Sequence, residues 1–328
     1  MSGRCYSTLA PLARDGFSPR ARARLADRRR VPHELAITRA DLPRLRAETM
    51  RRVSISGVQD KLSLDLVRGR FVVVEGGGRY LLKPIPGARL PELHDDLPAN
   101  EHLTMQLAEQ VFGLETAANA CVRLADGELA YLTRRFDRRP DGARVAQEDF
   151  CQLLERSPDR DGPNYKYDGS YEELGRALRR FCPAYVVEVE RLFRRIVFSY
   201  AVSNGDAHLK NFSLSQGPRG DFLLSPAYDL VATSLHLPDE RRLALGLFDG
   251  DEIPRGVASH GFETGADLLD LSRRFGIKEA RARRFLDRLA ARRDDVHALV
   301  ERSFLSAEAK RRYRARFDDR LAALALVS

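Results

Sequence analysis

Two short polar segments limit how this chain can fold. The first is Asn204-Gly-Asp206-Ala-His208-Leu-Lys210-Asn211, and the second is Pro226-Ala-Tyr228-Asp229. Asp206 and Asn211 have the Asp-x4-Asn spacing of kinase catalytic loops, in which the Asp faces the acceptor hydroxyl and the Asn faces a metal ion. The spacing predicts Asp206 as a catalytic base. It also predicts Asn211 and Asp229 as oxygen ligands of the kind that Mg²⁺ prefers.

The spacing alone is weak evidence, because it also arises by chance and an Asn-Gly-Asp turn beside a surface lysine is an ordinary loop. The flanking segments favour the kinase interpretation. Residues 192–202 have apolar side chains at helical spacing and predict a buried helix. Residues 211–225 predict a hairpin around a Gly-Pro-Arg-Gly-Asp turn. Helix, polar loop, hairpin and Asp occur in the order that a kinase C-lobe requires.

The pattern changes from strands to helices along the chain. A helix is predicted from about Pro98, with Gly113 at its C-cap, and the pattern is mainly helical from about Gln147. Residues 1–50 are expected to be a basic, loop-rich entry, and 157–170 a mobile loop. The predicted strands lie at 61–67, 71–75, 79–83, 120–124 and 129–133. A β-rich front and an α-rich back predict an α+β, bilobal, protein-kinase-like fold.

Further blocks along the chain resemble the HipA family of toxin kinases. The match covers about residues 50–250. With Ser54-Ile-Ser56 and the opening Cys5-x-x-x-Leu-x-Pro-Leu12, the chain is most similar to the HipT kinases of tripartite HipBST systems. Besides the two polar segments, the matching blocks are Ser54-Ile-Ser56-Gly57-Val58-Gln59-Asp60-Lys61, Leu82-Lys83-Pro84, Asn100-Glu101, Arg135-Phe136-Asp137-Arg138, Gln147-Glu148-Asp149-Phe150 and Lys166-Tyr167-x-Gly169.

The resemblance implies a HipA-like organisation. Residues 1–50 would form a basic extension packed on the N-lobe, 51–138 the N-lobe with phosphate loop and hinge, and 139–328 a helical C-lobe with catalytic and metal loops. The chain is expected to lack the small N-terminal subdomain of HipA. That would leave an apolar patch on the β-rich lobe exposed for a partner.

The resemblance also implies a function. The chain would be the toxin of a bacterial toxin–antitoxin system, a cytoplasmic Mg²⁺- and ATP-dependent serine/threonine protein kinase. Its substrate would be an aminoacyl-tRNA synthetase, the tryptophanyl enzyme first and the glutamyl enzyme next, with inhibition of translation as the result. Its partners would be a HipB-like helix-turn-helix antitoxin and a small HipS-like protein, with DNA bound only through the antitoxin complex.

The resemblance assigns residues to the nucleotide and to regulation. Ser54 and Ser56 would be autophosphorylated, adding negative charge beside the triphosphate site. The family has an acid where this chain has Arg134, but a backbone contact to adenine would survive that change. The residues expected to contact ATP are Ser56, Gly57, Val58, Gln59, Asp60, Lys61, Lys83, Arg134, Arg135, Phe136, Asp137, His208, Leu209, Lys210, Asn211, Tyr228 and Asp229.

Several of these residues also have a structural interpretation. Lys83 ends a predicted strand, where kinases place a phosphate-binding lysine, but it could be a surface lysine. Glu101 could pair with Lys83 or be an acid stabilised by the helix dipole. Asp137 could accept from the ribose or belong to a salt-bridge cluster. His208 is as readily structural as nucleotide-binding.

Two other function classes stay open. The net charge of +8 permits a nucleic-acid partner, although Arg-rich helices after residue 273 are more simply solvated faces. A small-molecule kinase of the aminoglycoside or choline type would share Asp-x4-Asn, and a DNA-associated, non-catalytic subunit would use the basic face. The four cysteines lack paired metal-ligand spacing, and no apolar run is long enough to span a membrane.

Overall fold

The computed structural model describes residues 3–49, 61–139, 141–250 and 252–327. Its strands are β1 (Gly3–Arg4), β2 (Pro11–Leu12), β3 (Leu62–Val67), β4 (Arg70–Val73), β5 (Tyr80–Lys83), β6 (Asn119–Arg123), β7 (Leu129–Arg134), β8 (Gln147–Asp149), β9 (Ser213–Gln216) and β10 (Phe222–Leu224). Its helices are α1 (Pro19–Ala26), α2 (Leu42–Thr49), α3 (Leu97–Gln106), α4 (Phe150–Leu153), α5 (Pro158–Asp161), α6 (Tyr171–Phe181), α7 (Tyr185–Ala201), α8 (Arg255–His260), α9 (Gly265–Arg274), α10 (Glu279–Ala291), α11 (Arg293–Arg302) and α12 (Ala307–Leu324).

A five-stranded antiparallel sheet, ordered β4-β3-β5-β7-β6, forms the first layer of the fold. Strand β3 alternates buried leucines with partly exposed polar residues, so one face of the sheet is apolar. A two-residue loop joins β3 to β4. Its residues Arg68 and Gly69 both have positive φ, which suits the twist of a tight hairpin. The predicted hairpin is therefore present.

The N-terminal segment covers the apolar face of this sheet. Leu25, Val31 and Leu35 pack in one buried cluster with leucines of β3 and β5. The hydroxyl of Tyr80 donates to the Leu25 carbonyl at 2.7 Å, which ties α1 to the sheet. The entry is therefore not wholly loop, since it contains α1 and α2, and it covers a sheet face that was expected to leave an exposed apolar patch. In the described part of the sheet, the large apolar side chains that remain exposed are Val67 and Val72.

Helix α3 packs against the sheet and is buried along almost its whole length. It continues through a π-helical turn at Leu107–Val111. Gly113 follows with φ +67°, and its N–H donates to the Glu109 carbonyl at 3.2 Å. A residue with a side chain is strained in that conformation, so the predicted glycine C-cap has a physical reason.

The second layer is mainly helical and surrounds α7, whose residues from Leu192 to Ala201 are buried except for Arg194, as the apolar spacing predicts. The predicted hairpin is β9–β10, but Gln147–Asp149 is a strand that pairs with β9 rather than the start of a helical region. The segment 157–170, expected to be a loop, contains the short helix α5. Helices α10 to α12 are amphipathic, and Arg320 is an exception to their exposed arginines because it is buried.

Candidate phosphotransfer site

The end of β5, the middle of α3 and the loop after β10 meet at one buried ion cluster. The Lys83 ammonium lies 2.7 Å from Oε1 of Glu101 and 2.5 Å from Oδ1 of Asp229. Glu101 is 1% exposed, whereas the Asp229 side chain is 39% exposed. Of the two interpretations left open for Glu101, the contact supports pairing with Lys83.

Burial and charge act in opposite directions on the pKa values of this cluster. Burial disfavours a charged Lys83, but the carboxylates of Asp229 and Glu101 raise its pKa above the ordinary value, so it remains an ammonium. Burial raises the pKa of Glu101 to about 7. Burial also acts against ionisation of Asp229, yet Lys83 lowers its pKa below the ordinary value. Asp229 is therefore the firmly ionised carboxylate, and it is also the more exposed one.

The predicted catalytic loop, residues 204–211, is held by hydrogen bonds within the loop and to Thr233. Asp206 N–H donates to Oδ1 of Asn204 at 3.2 Å, and Gly205 N–H donates to Oγ1 of Thr233 at 2.7 Å. The amide of Asn211 donates through Nδ2 to the Asp206 carbonyl at 2.8 Å. These bonds fix the backbone of Asp206 while its carboxylate stays partly exposed.

The two predicted metal ligands have suitable chemistry for Mg²⁺. Because Nδ2 of Asn211 is used within the loop, its amide oxygen is the atom left for a cation. Asp229 has φ +57°, and the hydroxyl of the preceding Tyr228 donates to the Lys210 carbonyl at 2.8 Å, which joins the metal and catalytic loops. Over the described ranges, no three His, Cys, Asp or Glu side chains cluster as a metal cage. A site with few protein oxygens and substrate phosphates is how Mg²⁺ is usually bound.

The predicted hinge contains side chains that already have partners. Arg134 donates to both carboxylate oxygens of Asp27 at 2.8 and 2.9 Å, so its guanidinium binds α1. Asp137 is buried and accepts from Arg135 and Arg138, which favours the salt-bridge interpretation over a ribose contact. The Phe136 ring lies 5.6 Å from the Tyr228 ring and links the hinge to the metal loop. The backbone contact to adenine stays a prediction.

The remaining residues that were predicted to contact ATP lie in different surroundings. Leu209 is buried, and its N–H donates to the Lys166 carbonyl at 3.1 Å. Lys210 contacts the Tyr165 hydroxyl at 3.3 Å and Asp149 at 4.0 Å. Lys61 is exposed. Ser54, Ser56, Gly57, Val58, Gln59 and Asp60 lie outside the residues that the structure describes.

The sequence did not reveal two groups beside Asp206. The Tyr167 hydroxyl donates to Oδ1 of Asp206 at 2.5 Å, and its ring lies edge-on to His208 at 5.1 Å. Tyr167 belongs to a recognised sequence block, but nothing in the block indicates this contact. Glu240 lies against Gly205, where a Cβ would come within 2.6 Å of its carboxyl group. No motif contains Glu240, so only the fold could reveal it.

Comparison with known proteins agrees with the arrangement of this site. A model of the HipA-like C-terminal domain matches residues 53–296. The chain belongs to this HipA family. It is 26% identical to a Haemophilus influenzae protein named "Putative kinase" over 92% of this chain and 91% of that protein. It is 29% identical to the serine/threonine-protein kinase toxin HipA of Shewanella oneidensis over 68% of this chain, but spans only 52% of that toxin.

The solved structures place the fold among kinases. The HipA chain in the Shewanella oneidensis complex of HipA, HipB and operator DNA superposes with a TM-score of 0.62, at 22% identity. The superposition covers 84% of this chain and 65% of that HipA chain. The predicted α+β, protein-kinase-like fold is confirmed. Among the described helices, none is long and apolar enough to cross a membrane.

Glu240 gives the site a testable pH dependence. Burial raises its pKa from 4.5 to about 7, and its Oε2 has no hydrogen-bond partner among the described residues. The folded state therefore holds this proton more tightly than the unfolded chain. The resulting stabilisation is complete below about pH 4.5 and is lost as the pH rises through about 7. The side chain of Glu240→Gln stays neutral at every pH. The melting temperature of this variant minus that of the wild type should therefore increase from about pH 5 to about pH 8.

Thermal unfolding monitored by circular dichroism at several pH values would measure this difference. The matched control is Asp239→Asn, which neutralises the exposed neighbouring carboxylate. A melting-temperature difference for Glu240→Gln that does not change with pH would contradict the assignment.

Proposed function

We propose that this chain is a Mg²⁺- and ATP-dependent serine/threonine protein kinase that acts as the toxin of a toxin–antitoxin system. The observation on which the proposal rests is the Lys83 ammonium held between Glu101 and Asp229, beside a catalytic loop closed by Asn211. A strand lysine paired with a helix glutamate, and an aspartate at a metal loop, are the parts that protein kinases use to hold ATP.

Each residue has a defined task in this mechanism. Lys83 binds the nucleotide phosphates, and Glu101 orients it. Asn211 and Asp229 would hold Mg²⁺, which would neutralise charge on the phosphates when bound. Asp206 accepts the proton of a serine or threonine hydroxyl as that oxygen attacks the γ-phosphorus and ADP leaves. The carboxylate of Asp206 is suited to this role because it is partly exposed and both the N–H and the carbonyl of Asp206 are hydrogen-bonded.

The proposed substrate is an aminoacyl-tRNA synthetase, with the tryptophanyl enzyme favoured over the glutamyl enzyme. The support is the HipT-like Ser54-Ile-Ser56 segment. Phosphorylation of a synthetase would inhibit translation and so explain toxicity. Phosphoproteomics after induction of the wild-type chain, compared with an inactive variant, identifies the acceptor. A phosphorylated protein outside the synthetases would contradict this part of the proposal.

Asp206→Asn is the direct test of kinase activity. It keeps the side-chain shape but removes the proton acceptor, so phosphoryl transfer should fall about 10²–10⁴-fold. The control is Asp221→Asn, which makes the same chemical change in the turn between β9 and β10. Transfer of radiolabelled γ-phosphate to protein, with circular dichroism to verify folding, measures both variants. Wild-type transfer by Asp206→Asn would refute the role of this carboxylate.

We also propose that Ser54 and Ser56 are sites of autophosphorylation that regulate the kinase. Nearly two added negative charges beside a triphosphate site would repel ATP or attract the segment to arginines. Intact-mass measurement should find phosphate on the active enzyme and none on Asp206→Asn. Peptide mapping would locate it at one or both serines. An unmodified active enzyme would remove the regulatory proposal and leave the kinase proposal standing.

The proposed partners are a HipB-like helix-turn-helix antitoxin and a small HipS-like protein. The HipB-like partner is supported by the family membership and by the Shewanella oneidensis complex, in which HipA is assembled with HipB and operator DNA. The HipS-like partner rests on the resemblance to HipT alone. The net charge of +8 should give the kinase alone weak, salt-sensitive and sequence-independent DNA binding. Co-purification from the native operon followed by a DNA mobility shift tests this. Tight binding of one promoter by the isolated chain would favour a DNA-associated subunit instead.

A further inference from the structure

A phenol hydroxyl of this chain is already hydrogen-bonded to the carboxylate that would accept the substrate proton. Tyr167 Oη donates to Oδ1 of Asp206 at 2.5 Å. A serine or threonine hydroxyl must donate to the same carboxylate before its oxygen can attack phosphorus. Burial and the Asp206 carboxylate both raise the pKa of Tyr167, so the phenol stays protonated and remains a donor.

The contact depends on the Tyr167 side chain rather than on a loose backbone. The neighbouring Lys166 carbonyl accepts from Leu209 N–H at 3.1 Å, which anchors this segment to the catalytic loop. The Tyr167 N–H donates to the Asn164 carbonyl at 2.8 Å. The ring itself rests against His208 on one side and is 38% exposed. Rotation of the side chain toward solvent would therefore release Asp206 without moving the backbone.

We propose that Tyr167 is a specificity-determining residue that occupies the acceptor position on Asp206 and rotates away only when a substrate segment displaces it. The proposal rests on the kinase function proposed above. It names a competition for one carboxylate between an internal hydroxyl and the hydroxyl that is to be phosphorylated.

The Tyr167 hydroxyl is displaced from Asp206 more readily by a docked protein segment than by water. Water makes a few weak contacts in the site and displaces the phenol poorly, whereas a docked protein segment makes many contacts and can displace it. A hydrogen bond to an ionised carboxylate changes an equilibrium constant by about tenfold or more. Tyr167 should therefore suppress wasteful ATP hydrolysis by about tenfold while still permitting transfer to a docked protein. The selection is for acceptors that bind well enough to displace the ring.

Tyr167→Phe tests the competition because it removes the donor and keeps the ring. The rate of Mg-ATP hydrolysis without a protein acceptor should rise about tenfold. The KM for ATP should stay unchanged, since Tyr167→Phe keeps the ring contact with His208 and removes only the hydroxyl that donates to Asp206. The matched control is Tyr185→Phe, which loses a phenol hydroxyl that donates to the Phe275 carbonyl outside the site. An unchanged or slower hydrolysis rate in Tyr167→Phe would overturn the proposal.

A second measurement needs no enzymatic activity. With ¹³C-labelled tyrosine rings, the resonance missing from Tyr167→Phe identifies Tyr167. Its titration midpoint should fall when Asp206 is changed to Asn, because the negative partner is lost. Equal midpoints in wild type and Asp206→Asn would show that the contact is absent in solution and overturn the proposal. If the wild type and Tyr167→Phe transfer no phosphate to any protein, including themselves, the kinase proposal fails, and the titration still decides the contact.

Discussion

The Lys83 ammonium, shared between Glu101 and Asp229, is the interaction on which the organisation of this molecule depends. It joins the sheet, helix α3 and the metal loop at one point. Removing charges from water is unfavourable, and a buried ion pair is often no more stable than an apolar contact of similar size. Removal of one partner, however, leaves a charge unpaired in the interior. The cluster therefore makes the three elements depend on one another without being a strong source of stability.

A second set of polar contacts holds the surrounding elements in place. Asn100, adjacent to Glu101, bonds both the N–H and the carbonyl of Ala232 at 3.1 and 3.0 Å, so α3 also binds the chain just after Asp229. Helix α12 also contacts this region. Its buried Arg320 donates to the Ser203 hydroxyl at 3.1 Å, just before the catalytic loop. The C-terminal helix, which sequence analysis treated as a solvated basic face, thus contacts the base of the site.

The sequence predicts most of the secondary structure and little of the contact geometry. Strand β3 and helix α7 could be predicted because each presents one apolar face, which gives its sequence a regular spacing of apolar residues. The helices of the first 49 residues were missed because their prolines and arginines suggest loops, although Leu25 and Leu35 are buried against the sheet. Local patterns do not encode which distant surface such residues cover.

The same distinction, between local sequence patterns and contacts between distant segments, applies to the site. Asp206, Asn211 and Asp229 could be proposed from spacing, since their chemistry requires particular side chains at particular intervals. The contacts of Tyr167 and Glu240 depend on how segments 39 and 34 residues from Asp206 fold back on it, counted along the sequence. The spacing of residues within a sequence motif does not contain that information. The engagement of Arg134 with Asp27 likewise depends on where α1 packs.

We propose that Lys83, Asp229 and Asn211 form one nucleotide and metal centre. The decisive measurement is a crystal structure with Mg²⁺ and a non-hydrolysable ATP analogue. Lys83 should keep Glu101, give up its 2.5 Å contact with Asp229 and bind a phosphate oxygen, while Asp229 and Asn211 bind the metal. A bound nucleotide that leaves the Lys83–Asp229 pair intact and holds its metal elsewhere would refute this assignment.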